Sequence, residues 1–210
     1  MSADKGKEPA IHAGDEAKAS DALAMVARQP VYNPAMAVVA YELLYRESSS
    51  ALKAMVTDAR RATLRVIANA ALEIGLDRLA GGLPVHINFP RELLVAGDNL
   101  LPVQPDRVVI QVLDDMPAAQ DVLESLRALR TRGHRIAIGD FSSRQSDRAL
   151  LEVADIVKVA LSREQASDLA TTVHALIRRG ITQIAEEVET IEQFERCMEL
   201  GFDGFQGGFL

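Results

Sequence analysis

The chain has 210 residues and a formal net charge of -7, so it fits one large domain and lacks the excess of Lys and Arg that nucleic-acid binding requires. Hydrophobic residues make up 48% of the chain and aromatic residues only 4%, which predicts a core of Leu, Val, Ile and Ala. No run approaches the about 18 consecutive apolar residues of a membrane helix, and the chain does not open with the apolar region of a signal peptide. The single cysteine, Cys197, excludes an internal disulfide. We therefore expect a cytoplasmic protein without membrane or nucleic-acid partners.

Two strands follow a polar, Ala-rich tail over residues 1–20, which we predict to be disordered. A strand over Ala24–Tyr32 and the run VVAYELLYR, Val38–Arg46, are predicted to form an antiparallel pair. The second strand is apolar but places Glu42 and Arg46 on one face, because side chains alternate along a strand. An acid and a base on one face of a buried strand indicate either a structural ion pair or the base of a polar site.

Strands and helices alternate through the rest of a single domain, residues 21–210. After a helix predicted from Ser48–Ser50 to Ile74, the predicted strands are Leu83–Phe89, Arg107–Leu113, Arg135–Phe141, Ile156–Leu161, Ile181–Val188 and Phe202–Phe209. The predicted helices begin at Pro117, at a Ser162/Gln165 capping box and at a Thr190/Gln193 capping box, with a short helical turn at Ser146–Leu151. This alternation is typical of a parallel sheet covered by helices. With the antiparallel opening, it predicts an α/β fold, a modified TIM (β/α) barrel with an antiparallel first strand.

Polar side chains lie inside or close nearly every predicted strand, toward the end where a (β/α) barrel carries its site. They are Glu42, Arg46, Asn88, Gln111, Asp114, Asp115, Asp140, Lys158, Glu186, Glu187, Glu189 and Gln206. A single one would be explained as a paired core residue, but burying so many without partners would cost free energy. Carboxylates from several strands with an amide oxygen are the ligands that Mg²⁺, Mn²⁺ or Ca²⁺ prefers.

Other polar residues have a structural interpretation. Asp114 and Asp115 are predicted to cap the helix that begins at Pro117. His134 follows a helix end and is predicted to lie on the surface, and His174 falls in an amphipathic helix. No pair of histidines has the spacing of a zinc site.

The chain resembles an EAL domain, the family of cyclic di-GMP phosphodiesterases, over nearly all of Ala27–Leu210. The matching segments are YELLYR for E-A-L-x-R, HINFP, VVIQVLDD for V-x-x-E-x-x-E, GHRIAIGDF for G-x-x-x-A-x-D-D-F, ADIVKVA for A-D-x-I-K-x-D, AEEVET for A-E-G-V-E-T, and FDGFQGGF for F-D-x-x-Q-G-Y-x-F. Seven segments in the correct order are specific, although no single segment is. The opening RQPVYNPAMAVVAYELLYR is closest to the EAL part of EAL–HDOD proteins. The family usually continues into a closing helix, which leaves open whether this chain is truncated at its C-terminus.

The resemblance implies a role for each residue at a matching position. Active members hold two divalent cations that activate a water, which opens cyclic di-GMP to the linear dinucleotide pGpG. At the matching positions, the catalytic residues would be Glu42, Lys158 and Glu186, the metal ligands Glu42, Asn88, Asp140 and Glu186, and the ligand-binding residues Arg46 and Gln206.

Three departures from the family pattern predict a loss of activity. Gln111 stands where a metal-binding glutamate is expected, Gly139 replaces the first aspartate of D-D-F, and Ala160 replaces the aspartate after Lys158. Two divalent cations close together need anionic ligands to offset their repulsion. We therefore expect little or no phosphodiesterase activity and no resident cofactor, with Mg²⁺ or Mn²⁺ bound only if residual activity is retained.

Three interpretations stay open at this point. The first is a degenerate EAL domain that acts as a regulatory or protein-interaction module, with Arg46 offering a metal-independent grip on cyclic di-GMP. The second is a weak phosphodiesterase built around one ion. The third is structural, with Glu42 paired with Lys158 or Arg46. The expected protein partners are an HDOD domain, a diguanylate cyclase, another EAL protein or a transcription regulator, and homodimerisation is also open.

Overall fold

The structure is a computed structural model that describes residues 25–46, 75–96, 104–144 and 147–210. Eight strands close into one barrel in chain order. They are β1 Met25–Tyr32, β2 Val38–Arg46, β3 Val85–Asn88, β4 Val108–Leu113, β5 Ile136–Phe141, β6 Ile156–Ala160, β7 Thr182–Glu186 and β8 Gly204–Phe205. β1 is antiparallel to β2 and to β8, and every other neighbouring pair is parallel. The predicted modified barrel with an antiparallel first strand is confirmed.

Five α-helices and a 3₁₀-helix, Arg148–Glu152, lie within the described ranges. The α-helices are α1 Leu76–Ala80, α2 Arg91–Val95, α3 Gln120–Thr131, α4 Ala166–Arg178 and α5 Ile191–Leu200. The predicted helix that ends at Ile74 and the predicted tail over residues 1–20 lie outside the described residues. Within those residues, no helix is both long and apolar enough to cross a membrane.

Two helix beginnings test the predicted capping boxes. Thr190 caps α5 in a capping box with Gln193, as predicted. The Ser162 box is wrong, because α4 begins only at Ala166. The chain turns first after β6, where two backbone N–H groups donate to the carbonyl of Ala160. A turn made by the backbone therefore occupies the positions that the sequence pattern assigns to a helix.

The start of α3 also differs from the prediction. The helix begins at Gln120 and follows Ala119, which makes no side-chain capping hydrogen bond, so a helix opening at Pro117 with a cap from Asp114 or Asp115 is wrong. The buried carboxylate of Asp114 is instead part of the polar site described below.

Two predictions about exposure and length are also wrong. His134 is buried, with Nδ1 3.4 Å from the carbonyl oxygen of Val108, because the chain enters the barrel directly after α3. The last strand is two residues long instead of spanning Phe202–Phe209. Its successor Gly207 lies so close to Val188 that a Cβ would meet the Val188 carbonyl oxygen at 2.1 Å, so the chain folds over β7 there.

The barrel interior is built in layers along the strands. The lower layer is apolar and consists of Val31, Ala40, Val109, Ala137, Ile156 and Ile184. Two positions further along β2, β4, β5, β6 and β7, the side chains face the same interior. Those positions hold Glu42, Gln111, Gly139, Lys158 and Glu186. Strand alternation alone therefore stacks a polar layer on an apolar one.

Candidate functional site

The carboxylate of Glu42 lies at the centre of the polar layer and is 5% exposed. Its Oε1 atom accepts hydrogen bonds from Asn88 Nδ2 at 3.2 Å and from Gln111 Nε2 at 3.0 Å. Its Oε2 atom accepts hydrogen bonds from Lys158 Nζ and Gln206 Nε2, both at 2.7 Å. Four donors from four different strand ends thus surround one carboxylate, which matches the acceptor capacity of its two oxygens.

The ammonium group of Lys158 joins two carboxylates and is fully buried. Besides Glu42, it donates to Glu186 Oε1 at 2.8 Å. Burial alone would lower the pKa of Lys158, but the charges and hydrogen bonds of Glu186 and Glu42 raise it. Burial likewise opposes the ionisation of Glu42, yet Lys158 and the amide of Gln206 hold the pKa of Glu42 below its ordinary value. Lys158 therefore acts as the fixed cation of this site.

Glu186 connects the lysine to the end of β5. Its Oε2 atom accepts a hydrogen bond from the backbone N–H of Asp140 at 2.9 Å. Burial raises the pKa of Glu186 despite the neighbouring Lys158. Burial also raises the pKa of the Asp140 carboxyl, although the Arg163 guanidinium opposes that shift. The acidic side of the site is thus harder to ionise than ordinary surface carboxylates.

Gln111 and Gly139 fit against each other across β4 and β5. A Cβ atom at position 139 would lie 2.7 Å from Gln111 Nε2 and 3.2 Å from Gln111 Cδ, which is closer than van der Waals contact allows. The Gln111 amide therefore occupies space that any larger residue at position 139 would need. These two positions, both singled out by the sequence, are linked by packing.

A second polar cluster, which the sequence did not predict, lies at the same end of the barrel. Arg163 Nη1 donates to Asp114 Oδ1 at 3.0 Å and to the carbonyl oxygen of Asp140 at 2.8 Å. The buried Glu164 accepts hydrogen bonds from the backbone and hydroxyl of Ser143, at 2.9 and 2.6 Å, and from the Thr172 hydroxyl at 2.7 Å. The Glu164 contacts hold Ser143, which follows β5, against the start of α4. The sequence signals of this cluster are Asp114 after β4 and the charged pair Arg163 and Glu164, shortly after β6.

The predicted site residues are brought together only in part. Glu42, Asn88, Lys158, Glu186 and Gln206 meet in the contacts above, and Asp140 joins through its backbone. Glu187 and Glu189, also named at strand ends, are exposed. Arg46 belongs to β2, but its side chain lies outside the described part, so its role as a ligand-binding residue stays a prediction.

The arrangement is that of a known family. The family model described as EAL domain matches residues 20–210. The chain belongs to the EAL domain family. The protein YuxH of Bacillus subtilis is 33% identical over 191 residues, which cover 88% of this chain and 46% of YuxH. The cyclic di-GMP phosphodiesterase CdgJ of Vibrio cholerae is 30% identical over 186 residues, which cover 88% of this chain and 43% of CdgJ.

The chain thus spans less than half the length of these two curated relatives. Among solved structures, Klebsiella pneumoniae BlrP1 in complex with manganese and cyclic di-GMP is similar, with a TM-score of 0.74 and 26% sequence identity. That match covers 89% of this chain and 55% of BlrP1. The barrel described above is therefore an EAL barrel.

The polar layer of this EAL domain does not fit a pair of divalent cations. Both oxygens of Glu42 are already engaged by N–H donors, and Gln111 adds an amide where a carboxylate would add charge. Ala160, beside Glu186 in the strand register, is fully buried and offers no ligand. Among the described residues, no group of three or more His, Cys, Asp or Glu side chains is placed to hold an ion.

His86 is the register partner of Glu42 on the neighbouring strand of this EAL domain, and its burial gives a prediction about pH. Burial, with the nearby Lys158 charge, lowers the pKa of His86 to about 3. Between that value and about 6.5, the unfolded chain binds a proton at His86 that the folded chain excludes. The free energy of unfolding should therefore fall by up to about 1.4 kcal/mol per pH unit as the pH is lowered through this window.

Urea denaturation at pH 7, 6 and 5 measures this contribution. The His86→Gln variant should lose less stability on acidification than the unaltered chain, while His174→Gln, which changes an exposed histidine, should not differ from it. Parallel pH profiles for the unaltered chain and His86→Gln would contradict the assignment.

Glu187 is held in a left-handed backbone conformation, with φ 62°, where the EAL pattern has glycine. A side chain in this conformation costs about 1 kcal/mol. We expect Glu187→Gly to raise the free energy of unfolding by about 0.5–1 kcal/mol in urea denaturation. The matched change Glu189→Gly, at an exposed glutamate with negative φ, should lower it, because glycine mainly adds freedom to the unfolded chain there.

Proposed function

We propose that this EAL domain is a catalytically inactive regulatory or protein-interaction module of cyclic di-GMP signalling. The observation that carries the proposal is the Glu42 carboxylate, which is engaged by four N–H donors including the Lys158 ammonium. A metal ion at Glu42 would have to displace these donors from a buried site. The Lys158 ammonium already offsets one of the two carboxylate charges of Glu42 and Glu186 without an added ion.

Electrostatics support the same conclusion. Two divalent cations bring four positive charges into a buried site, and anionic ligands must offset their repulsion. Gln111, Gly139 and Ala160 each leave out one carboxylate that the EAL pattern contains. Of the remaining carboxylates, Glu42 and Glu186 are already paired with Lys158. The described residues therefore do not supply the ligands that would hold a water between two metal ions.

Binding of cyclic di-GMP without metals is a weaker form of the proposal. The phosphates of this ligand would approach a barrel end that carries Asp140, Glu186 and Glu187, without metal ions to offset their charge. Arg46 is the candidate phosphate-binding residue in this case. We favour binding of a protein partner over binding of cyclic di-GMP for an inactive barrel. The partners expected from the sequence are an HDOD domain, a diguanylate cyclase, another EAL protein or a transcription regulator.

A second candidate function is weak phosphodiesterase activity around a single ion. The side-chain oxygen of Gln206 is buried and lacks a hydrogen-bond partner within the described residues, so a cation could satisfy it. Glu42, Asn88, Asp140 and Glu186 would be the other ligands. The similarity to CdgJ, which is named a cyclic di-GMP phosphodiesterase, also favours this candidate.

Isothermal titration of the purified chain with cyclic di-GMP separates the candidates. The titration is made once with excess Mn²⁺ or Mg²⁺ and once with a chelator, and each sample is then analysed for pGpG. We expect no pGpG in either sample. CdgJ, treated identically, serves as the positive control for turnover.

Each outcome selects one function. Formation of pGpG that needs the metal would overturn the inactive assignment and favour the single-ion enzyme. Binding in chelator that is lost in Arg46→Ala would make the domain a receptor. If cyclic di-GMP gives neither heat nor pGpG and leaves the melting temperature of the chain unchanged, the result would support a role in protein interaction.

A further inference from the structure

A cleft separate from the polar layer opens on the outer side of the barrel. It has a volume of about 430 Å³ and lies between α4, the 3₁₀-helix and the segment 141–144 at the end of β5. Its apolar lining comes from Phe141, Leu151, Ala175 and Leu176. Ligand sites in proteins commonly have this size and combine an apolar lining with a few polar groups.

Three arginines, Arg144, Arg148 and Arg179, line the same cleft with a single acidic residue, Asp168. Arg144 is already used, because its Nε and Nη2 donate to Asp168 Oδ2 at 2.9 and 2.7 Å. Arg148 and Arg179 have no carboxylate within salt-bridge distance among the described residues. The cleft therefore carries positive charge on a chain whose net charge is -7.

The walls of the cleft are held in place by buried contacts. Ser143 and Thr172, which both line it, donate to the buried carboxylate of Glu164 at 2.6 and 2.7 Å. Arg144 is fixed by Asp168 and by Gln165, whose Oε1 accepts from Nη2 at 2.8 Å. A site with walls fixed in advance loses little freedom when a ligand binds.

We propose that this cleft, formed by Arg148 and Arg179 over an apolar floor, binds a small organic anion with an apolar body. Guanidinium groups bind carboxylates and phosphates through paired N–H donors, and the floor takes the apolar part. The cleft is lined by α4, the 3₁₀-helix and residues at and after the end of β5, and none of its lining residues belongs to the polar layer. It is therefore a site additional to the one through which EAL domains act on cyclic di-GMP.

The first test uses 8-anilinonaphthalene-1-sulfonate, an aromatic anion whose fluorescence rises in apolar surroundings, titrated into the 210-residue chain. Arg148→Gln and Arg179→Gln should each weaken its binding about tenfold, because each removes a charged hydrogen-bond donor from the anionic group. Arg178→Gln, the matched change at an exposed neighbour outside the cleft, should leave binding unchanged. Equal binding by all variants, or equal weakening in Arg178→Gln, would overturn the proposal.

Displacement of the bound probe identifies the ligand chemistry. Benzoate and phenyl phosphate combine an apolar ring with an anionic group, and at least one should displace the probe at concentrations about tenfold lower than benzyl alcohol or inorganic phosphate. The better of the two distinguishes a carboxylate ligand from a phosphate ester. If benzyl alcohol displaces the probe as effectively as both anions do, the cleft is an apolar site that does not select for charge, and the proposal is overturned.

Discussion

Replacement of Lys158 by methionine is expected to lower the free energy of unfolding by about 3–5 kcal/mol, the largest stability effect that we predict. The ammonium group is fully buried and lies 2.7 Å from Glu42 and 2.8 Å from Glu186. Methionine fills most of the same volume, but it leaves two buried carboxylates without their cation. Urea denaturation of the variant and of the unaltered chain at pH 7 measures the difference.

Two comparisons show whether charge causes the loss. Arg127→Met breaks an exposed ion pair of 3.7 Å with Glu152 and should cost at most about 0.5 kcal/mol. Adding Glu186→Gln to Lys158→Met should restore part of the loss, because it removes one unpaired carboxylate. The loss should also shrink at pH 5, since carboxylates without a cation gain protons more readily in the folded state than in the unfolded chain. If the loss in Lys158→Met is changed neither by adding Glu186→Gln nor by lowering the pH to 5, its cause would be packing and not charge.

The combined substitutions Gln111→Glu, Gly139→Asp and Ala160→Asp are expected to create a Mn²⁺ site, with affinity raised by about 100-fold or more over the unaltered chain. The three added carboxylates restore the EAL pattern and supply the negative charge that divalent cations require. The measurements are the rise in melting temperature with Mn²⁺, which reports binding to the folded state, and the formation of pGpG from cyclic di-GMP.

Gly139→Asp alone is the matched control and should not gain a metal site. Its Cβ would lie 2.7 Å from Gln111 Nε2, so the amide must leave its hydrogen bond with Glu42. We expect this single change to lower the free energy of unfolding by about 1–3 kcal/mol without a response to Mn²⁺. A folded triple variant that ignores Mn²⁺ would show that the polar layer lost its metal site for reasons beyond these three positions.

The sequence predicted the barrel because its strands are continuous apolar runs with a clear alternation of strands and helices. It also placed the polar residues around Glu42 at one end of the barrel, since parallel strands bring their carboxyl ends together there. Among the hydrogen bonds of Glu42, the sequence offered only the pairing with Lys158, as one alternative. Asn88, Lys158, Glu186 and Gln206 each lie inside, close or follow such a run, so topology alone places them near one another.

The contacts that the sequence missed join residues from separate loops. Arg163 and Asp114 meet only because β4 and β6 lie on either side of β5 in the barrel, and no local pattern marks that pair. The same contact explains the wrong prediction of a helix cap, since the Asp114 carboxylate is engaged elsewhere. The fit between Gln111 and Gly139 depends on distances between side-chain and backbone atoms of neighbouring strands, which strand alternation does not give.

The barrel is joined between β1 and β8 by one registered pair, Tyr32 with Phe205. This joint offers the least resistance to transient separation of the strands, so hydrogen exchange with solvent should begin at Phe205 before it reaches the centre of the sheet. Gln206, the next residue, holds Glu42 through its amide. Each brief separation of β1 from β8 would therefore also break the hydrogen bond from Gln206 to Glu42. Opening of the barrel and loss of one donor from its polar layer would then occur together.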